Sequence, residues 1–295
     1  MKTIRAAFWV AGIVLLVAAL ILTAHLTSNN LDFSRYNTNW NGTSQFFSDL
    51  DRHHTVMILD SAQLAPYQNN ALLLIIAPER TPTAKEITAY QSFLDRGNTL
   101  ILADDFGTGR EILQRIGSRI TILAGNLSSV DREYADPYTI VVYPAGNTSP
   151  VENCGPLIMD RAAPLDGGVP LVMTSILSWV DTNGDRRITA NEVMGQFPVI
   201  ASEEISRGRI VVISDPSIFI NSMQDLGGTW GNQCLLNNLI NYPGTVLVDQ
   251  MNSRTQDAAG ISEIFHVIRT QLIGEVLFFG LLVLIAAWAW RKKIL

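Results

Sequence analysis

The stretch from Ala71 to Gly109 is compatible with few folds, because two apolar runs flank one amphipathic segment. Ala71–Ala77 and Thr99–Ala103 are apolar on both faces, which is typical of parallel strands covered by helices on two sides. Between them, Thr83 and Glu86 have the spacing of a capping box, and Gly97 supplies a left-handed helix stop. The pattern predicts a strand, a helix and a second strand of an α/β sheet.

The rest of the central region continues this pattern. A second capping box, Thr108 with Glu111, predicts a helix that ends at Gly117. Later segments predict a hairpin, a helix and a last strand, at Val199–Ser202 with Arg209–Ser214, at Gly231–Asn241 and at Thr245–Asp249. We therefore expect one three-layer α/β domain with a mostly parallel sheet, of flavodoxin-like or glutamine-amidotransferase-like layout, over residues 48–260.

Both ends of the chain are strongly apolar, and only 16% of all residues in the chain are charged. Residues 6–24 and 271–290 each approach the roughly 20 residues that cross a hydrocarbon core. These segments predict two transmembrane helices, with a linker over 25–47, a juxtamembrane helix over 261–270 and tails at 1–5 and 291–295. A cleaved signal peptide is the alternative for the first segment.

Basic residues flank both apolar segments on their outer sides, at Lys2, Arg5 and 291–293. The positive-inside rule then places both termini in the cytoplasm and residues 48–260 outside the cell membrane. The formal net charge of −6 argues against nucleic acid as a partner.

Two cysteines and three sequons fit an external location. An oxidising exterior allows Cys154 and Cys234 to form a disulfide, and two buried thiols are the alternative. Asn41, Asn126 and Asn147 each begin an acceptor triplet for N-glycosylation.

Four motifs together resemble a known family. They are Ala77-Pro78 with Phe93–Gly97, the run Leu100–Gly109, the run Ser178–Asp185, and Gly208–Asn221. They resemble the glutamine-amidotransferase-like fold and, more narrowly, an uncharacterised, domain-of-unknown-function family of membrane-anchored proteins that carry this domain outside the cell. The resemblance implies a role in assembly with membrane proteins, in a system associated with MoxR-type ATPases. Where related sequences end the last strand in Asp-Glu followed by His, this chain has Asp249–Asn252.

A working amidotransferase needs a nucleophilic Cys on a strand-to-helix elbow and a His that activates it. The corresponding elbow here carries Phe106 between Asp105 and Gly107. The sequence therefore predicts no catalytic residue of that type.

Several polar residues follow predicted strands at one edge of the sheet. Open α/β sheets bind ligands outside the carboxyl ends of their strands. The candidate ligand-binding residues are Asp104, Asp105, Gly107, Gly109, Asp215, Ser217 and Asp249. Converging carboxylates would bind a cation or a sugar or transfer protons, and capping of helices and turns is the alternative.

The run from Asp181 to Glu192 has the spacing of an EF-hand calcium loop. Asp181, Asn183, Asp185 and Glu192 occupy positions 1, 3, 5 and 12, and Arg187 would offer its carbonyl oxygen. Arg186 stands where the loop usually has Gly, at a position that needs a positive φ. Calcium is the one cofactor that the sequence predicts, and an Asp-rich surface turn is the alternative.

We therefore expect a membrane-anchored external domain that binds a ligand or a protein and takes part in assembling a membrane complex, without catalysis. An external hydrolase that uses the sheet-edge carboxylates and a calcium-stabilised surface scaffold are the alternatives.

Overall fold

The structure is a computed structural model of the chain. It describes residues 30–53, 55–131, 134–226, 230–253 and 255, with Gly12 and Gly280 besides. The described residues from Leu31 to Thr255 belong to one compact unit. The predicted membrane segments 6–24 and 271–290 and the juxtamembrane helix 261–270 lie outside the described residues. Within the part of the chain that is described, no helix combines the length and the apolar character that crossing a membrane requires.

The compact unit alternates strands and helices in its first half and consists mainly of strands in its second half. Its helices are α1 (Ser44–Asp51), α2 (Ala84–Asp95), α3 (Gly109–Ile116), α4 (Asn221–Gln224) and α5 (Asn232–Ile240), with 3₁₀ helices at Ser61–Leu64 and Pro216–Phe219. Its strands are β1 (Val56–Ile58), β2 (Ala71–Ile76), β3 (Thr99–Ala103), β4 (Thr121–Ile122), β5 (Asn126–Ser129), β6 (Thr139–Pro144), β7 (Leu157–Asp160), β8 (Leu165–Asp166), β9 (Val169–Thr174), β10 (Ser178–Asp181), β11 (Pro198–Ile205), β12 (Gly208–Ile213) and β13 (Thr245–Asp249).

Nine strands form the main sheet, in the order β1-β13-β2-β3-β12-β11-β9-β6-β7. The pairs from β1 to β12 are parallel, and the pairs from β12 to β7 are antiparallel. The prediction of a mostly parallel sheet is therefore only partly right, because half of the sheet is antiparallel. The antiparallel half begins at the pair of β12 and β11, where the two-residue connection Ser206-Arg207 can join only antiparallel neighbours.

The unit predicted around α2 is confirmed. Every residue of β2 is buried. At the start of α2, Thr83 Oγ1 accepts a hydrogen bond from Glu86 N at 3.3 Å, and Glu86 Oε2 accepts one from Thr83 N at 2.7 Å. Gly97 has a φ of 86°, which allows the chain to turn sharply from α2 into β3. Local sequence signals and tertiary packing agree here.

The sheet separates two apolar cores, so that the domain has the three layers that were predicted. Leu72, Leu74 and Ile76 face one core, which also holds apolar residues of α1 and α5. Leu73 and Ile75 face the other, together with apolar residues of α2 and α3. Consecutive residues of β2 thus pack into opposite cores, because side chains alternate along a strand.

Most of the predicted linker 25–47 belongs to the folded domain. Helix α1 begins at Ser44, and Phe46 is fully buried with its ring centroid 4.9 Å from that of Phe219. The Asn221 amide nitrogen donates to the carbonyl oxygens of Asn37 and Asn39, at 3.2 and 2.6 Å. The polar sequence of residues 30–43 gave no periodic signal, and side-chain contacts to distant residues order this segment.

A disulfide joins Cys154 to Cys234, with 5.5 Å between the two Cα atoms. It connects the segment between β6 and β7 to helix α5 across 80 positions of sequence. The bond fits the predicted oxidising location of the domain.

Candidate functional site

The carboxyl ends of β13, β2, β3 and β12 lie at one edge of the sheet, because these four strands are adjacent and parallel. Asp249 ends β13, Asp104 follows β3, and Asp215 follows β12 after Ser214. All three carboxylates are buried, at 2% exposure or less. The topology therefore brings the predicted residues to one edge, as the strand pattern indicates.

Asp104 holds the backbone of the loop that follows β3. Its carboxylate accepts hydrogen bonds from Gly107 N at 3.2 Å and from Gly109 N at 2.7 Å. A Cβ atom added to either glycine would lie 2.6 Å from a carboxylate oxygen of Asp104. The two glycines thus allow the loop to close around Asp104, and this close approach explains why glycine occupies both positions.

The capping box predicted at Thr108 is wrong, because the Thr108 side chain does not cap α3. Thr108 Oγ1 donates instead to the carbonyl oxygens of Pro78 and Arg80, both at 3.2 Å. The Asp104 carboxylate accepts the N–H of the first residue of α3. Burial raises the pKa of Asp104 to about 6, and the neighbouring carboxylate of Asp105 acts in the same direction.

Asp215 caps the 3₁₀ helix that follows β12. Its carboxylate accepts hydrogen bonds from Ser217 N at 2.8 Å and from Asp160 N at 2.7 Å. Complete burial raises its pKa to about 8, and the carboxylates of Asp105 and Asp160 add to this rise. Ser217 contributes its backbone N–H to this cap, which agrees with the capping alternative.

Asp249 belongs to a buried hydrogen-bond network that the sequence did not indicate. Its carboxylate accepts bonds from Met251 N at 2.8 Å, Asn252 N at 2.7 Å and the Tyr90 hydroxyl at 2.5 Å. The Asn252 amide nitrogen donates to the Tyr90 hydroxyl at 2.7 Å. Burial raises the pKa of Asp249. The one available signal was that Tyr90 carries a polar group on the apolar face of α2.

A cavity of about 300 Å³ opens at the same edge, beside β1 and β13. Its lining includes Asp60, Arg80, Lys85 and Glu86, and it includes none of the three buried strand-end aspartates. The charged groups pair with one another, Arg80 with Glu86 at 2.5 Å and Lys85 with Asp60 at 3.6 Å. The carboxylates at the sheet edge thus bind backbone N–H groups, as the capping alternative expects, and they do not surround this cavity.

The loop from Asp181 to Glu192 brings three of its predicted ligands together. One carboxylate oxygen from each of Asp181, Asp185 and Glu192 lies within 4.8 Å of the others. Asp181 accepts bonds from Tyr138 OH and Arg186 N, and Glu192 accepts one from Thr182 N. Burial acts to raise the pKa of Asp181, but these bonds outweigh it and hold the pKa below its usual value.

The other predicted members of this loop lie beside these carboxylates. Asn183 Nδ2 donates to Asp185 Oδ2 at 3.2 Å, and Arg187 N donates to Asp185 Oδ1 at 2.8 Å. Arg186 has a φ of 61°, so it adopts the left-handed conformation that its position was predicted to require. Its guanidinium lies 5.1 Å from the Tyr138 ring centroid and 3.7 Å from Asp136 Oδ2.

The three sequons differ in their surroundings. Asn147 is exposed. Asn41 is half-buried, and its amide oxygen accepts a hydrogen bond from Asn37 at 2.9 Å. The amide oxygen of Asn126, in β5, is shielded from solvent. Glycosylation at these positions stays a prediction.

Comparison of the fold with solved structures finds similarity at low sequence identity. The mmIFT52 N-terminal domain matches 66% of this chain and 86% of its own, at 15% identity and a TM-score of 0.50. A putative ThuA-like protein from Bacteroides uniformis matches 68% and 80%, at 12% identity and a TM-score of 0.36. A β-galactosidase from Bacillus circulans matches 59% of this chain and 25% of its own, at 9% identity and a TM-score of 0.37. At 15% identity, the similarity to the mmIFT52 N-terminal domain shows a related fold alone.

No curated protein matches the sequence. A family model, by contrast, matches residues 35–240, which run from the segment before α1 to the end of α5. This range covers more than two thirds of the chain. The protein therefore belongs to the family defined by the domain of unknown function DUF4350.

Proposed function

We propose that this domain is a non-catalytic binding module that joins another protein into a complex at the outer face of a membrane. The observation that carries the proposal is the use of Asp104, Asp215 and Asp249 as acceptors for backbone N–H groups. A hydrolase at this edge would need carboxylates that face an open pocket. We therefore place the function on the surface of the domain.

The contact surface that we propose is a group of exposed apolar side chains, here called the apolar patch. It consists of Val130, Ile176, Leu177, Ile188, Val193 and Met194. Exposed apolar groups that cluster on a folded domain mark interaction sites more often than single ones do. Ile176 and Val193 are 66% and 77% exposed, so a partner would bury much apolar area there.

Backbone hydrogen bonds link three segments of the apolar patch, those that carry Val130, Ile176 with Leu177, and Val193 with Met194. Val130 N donates to Leu177 O at 3.1 Å, and Gly195 N donates to Ser178 O at 2.8 Å. Because these bonds link residues next to Ile176 and Met194, the apolar side chains belong to one neighbourhood. We propose this neighbourhood as one contact face.

The charge of the chain favours a protein over an anionic lipid surface as the partner that binds the apolar patch. The formal net charge of −6 opposes attachment to an anionic lipid surface. Addition of a partner strand at β7 is disfavoured too, because the Asn232 side chain donates to Ile158 O and accepts from Ile158 N, at 2.9 and 2.8 Å. The patch therefore suits a side-chain contact with an apolar protein face.

The location of the module is also part of the proposal. The apolar segments 6–24 and 271–290 would anchor the chain, with both termini cytoplasmic and the domain outside. The disulfide between Cys154 and Cys234 supports an oxidising environment for the domain. The resemblance noted above suggests membrane proteins of a MoxR-associated system as partners.

Crosslinked capture of the full-length protein from its native membranes, followed by mass spectrometry, tests this proposal. We expect a specific membrane protein to be recovered with the wild type and lost with the double variant Ile176→Ser, Val193→Ser. The matched control is Val169→Ser, because Val169 is 64% exposed at the far end of β9 and lies outside the patch. Recovery of background alone, or equal recovery with the double variant, would contradict the proposal.

A further inference from the structure

We infer that the loop Asp181–Glu192 binds one calcium ion. The inference concerns the part of the molecule around β5 and β10, away from the parallel half of the sheet, and it does not depend on the proposed function. It rests on the ligand spacing in the sequence, on the convergence of the carboxylates, and on a buried amide oxygen next to them.

The sequence spacing and the fold agree on the same acidic residues. Asp181, Asp185 and Glu192 occupy positions 1, 5 and 12 of the loop, where an EF-hand places ligands. The fold brings one oxygen of each within 4.8 Å of the others, although eleven positions separate the first from the last. Among the described residues, none of these three carboxylates lies within 4.0 Å of a side-chain nitrogen of Lys or Arg. Three carboxylates without a basic partner form a site for a hard cation.

A second, independent feature points to the same place. The Oδ1 atom of Asn126 is shielded from solvent, and it has no hydrogen-bond partner among the residues that the structure describes. Asn126 lies directly opposite Asp181 in the antiparallel pair of β5 and β10. Directly opposite residues project to the same face with Cβ atoms about 5 Å apart, so this amide oxygen belongs to the surroundings of Asp181. A buried acceptor without a donor is costly, and a cation beside it would satisfy it.

The arginine at position six does not neutralise the site. Arg186 replaces the usual glycine, yet its φ of 61° keeps the loop conformation. Its guanidinium lies over the Tyr138 ring, 5.1 Å from the centroid, and within 3.7 Å of Asp136 Oδ2. Tyr138 and Asp136 thus engage the positive charge that would otherwise compete with the ion.

The donor set favours calcium over magnesium. Carboxylate, amide and backbone carbonyl oxygens on a loop suit the six to eight ligands and the variable geometry of Ca²⁺, whereas Mg²⁺ requires a nearly ideal octahedron. Two of the carboxylates, those of Asp181 and Glu192, are buried and fixed by backbone N–H groups, while Asp185 is exposed. Asp185 is therefore the ligand whose replacement disturbs the fold least.

Calorimetric titration of the full-length protein with CaCl₂, after removal of metal with EGTA, tests the inference. We expect one ion per chain, with a Kd on the order of 10⁻⁴–10⁻³ M or tighter, as in extracellular calcium modules. The melting temperature should rise on addition of CaCl₂ and should not rise equally with MgCl₂.

Asp185→Asn should weaken calcium binding about tenfold or more and abolish most of the rise in melting temperature. Asp166→Asn is the matched control, because Asp166 is an exposed aspartate on β8, outside the loop. Circular dichroism of Asp185→Asn without metal shows whether the variant is folded. An absence of calcium binding in the wild type, or wild-type binding by a folded Asp185→Asn, would overturn the inference.

Discussion

Replacing Cys154 and Cys234 by serine should lower the free energy of unfolding by about 4 kcal/mol. The disulfide closes a loop of 80 positions, and its removal gives the unfolded chain the conformational freedom that this closure takes away. The bond also connects α5, which packs on the core through Leu235 and Leu236, to the segment that precedes β7. Urea unfolding of the purified full-length protein, followed by circular dichroism, measures the effect.

Wild-type protein treated with a thiol reductant is the control for the serine substitutions. It should unfold at the same low urea concentration as the double variant, because both lack the same bond. If the double variant and the reduced wild type unfold at the midpoint of the oxidised protein, the disulfide does not stabilise the fold.

Replacing Phe46 by alanine should cost about 3–5 kcal/mol, the range for truncating a fully buried phenylalanine. The Phe46 ring packs edge-on against Phe219 and Phe47, with centroids 4.9 and 5.9 Å away. Its removal leaves a cavity between α1 and the 3₁₀ helix that follows β12. The same urea unfolding experiment provides the measurement.

Ser48→Ala is the matched control for Phe46→Ala, since Ser48 is an exposed residue of the same helix. We expect its free energy of unfolding to stay within about 0.5 kcal/mol of the wild type. Equal stability of Phe46→Ala and Ser48→Ala would mean that Phe46 does not belong to the core, as the prediction of a linker over residues 25–47 had assumed.

The strand–helix–strand unit could be predicted because local signals and long-range packing coincide there. Thr83, Glu86 and Gly97 act through contacts within a few residues, and β2 is apolar on both faces because two cores enclose it. The last strand, Thr245–Asp249, was predicted with the bounds that it has. In these segments the residue types alone carry the structural information.

The parts that the sequence did not indicate depend on contacts between distant residues. The position of α1 depends on Phe219 and Asn221, which lie more than 170 positions away along the chain. The antiparallel half of the sheet follows from how the hairpin of β11 and β12 docks beside β3 and β9. Strand patterns show which residues are buried, but they do not show which strands become neighbours.

The members of the sheet-edge site were predicted, and the sequence left their roles open between ligand binding and capping. A run of aspartates after strands gives the same pattern for a ligand site and for a set of caps. Only the hydrogen bonds that Asp104, Asp215 and Asp249 accept from backbone N–H groups distinguish a set of caps from a ligand site. The buried contact between Tyr90 and Asp249 joins residues 159 positions apart, and no local motif encodes it.

The central claim is that the sheet-edge carboxylates hold the backbone and leave binding to the surface of the domain. Urea unfolding of Asp104→Ala at pH 4, beside the exposed control Asp166→Ala, tests it most directly, because this pH lies well below the raised pKa of about 6 and burial of a charge then no longer opposes folding. We predict that Asp104→Ala loses about 2 kcal/mol, because the buried N–H of Gly109 and the N–H of Gly107 lose their acceptor. Asp166→Ala should stay within about 0.5 kcal/mol of the wild type. Wild-type stability of Asp104→Ala would contradict the claim and return the carboxylate to the candidates for catalysis.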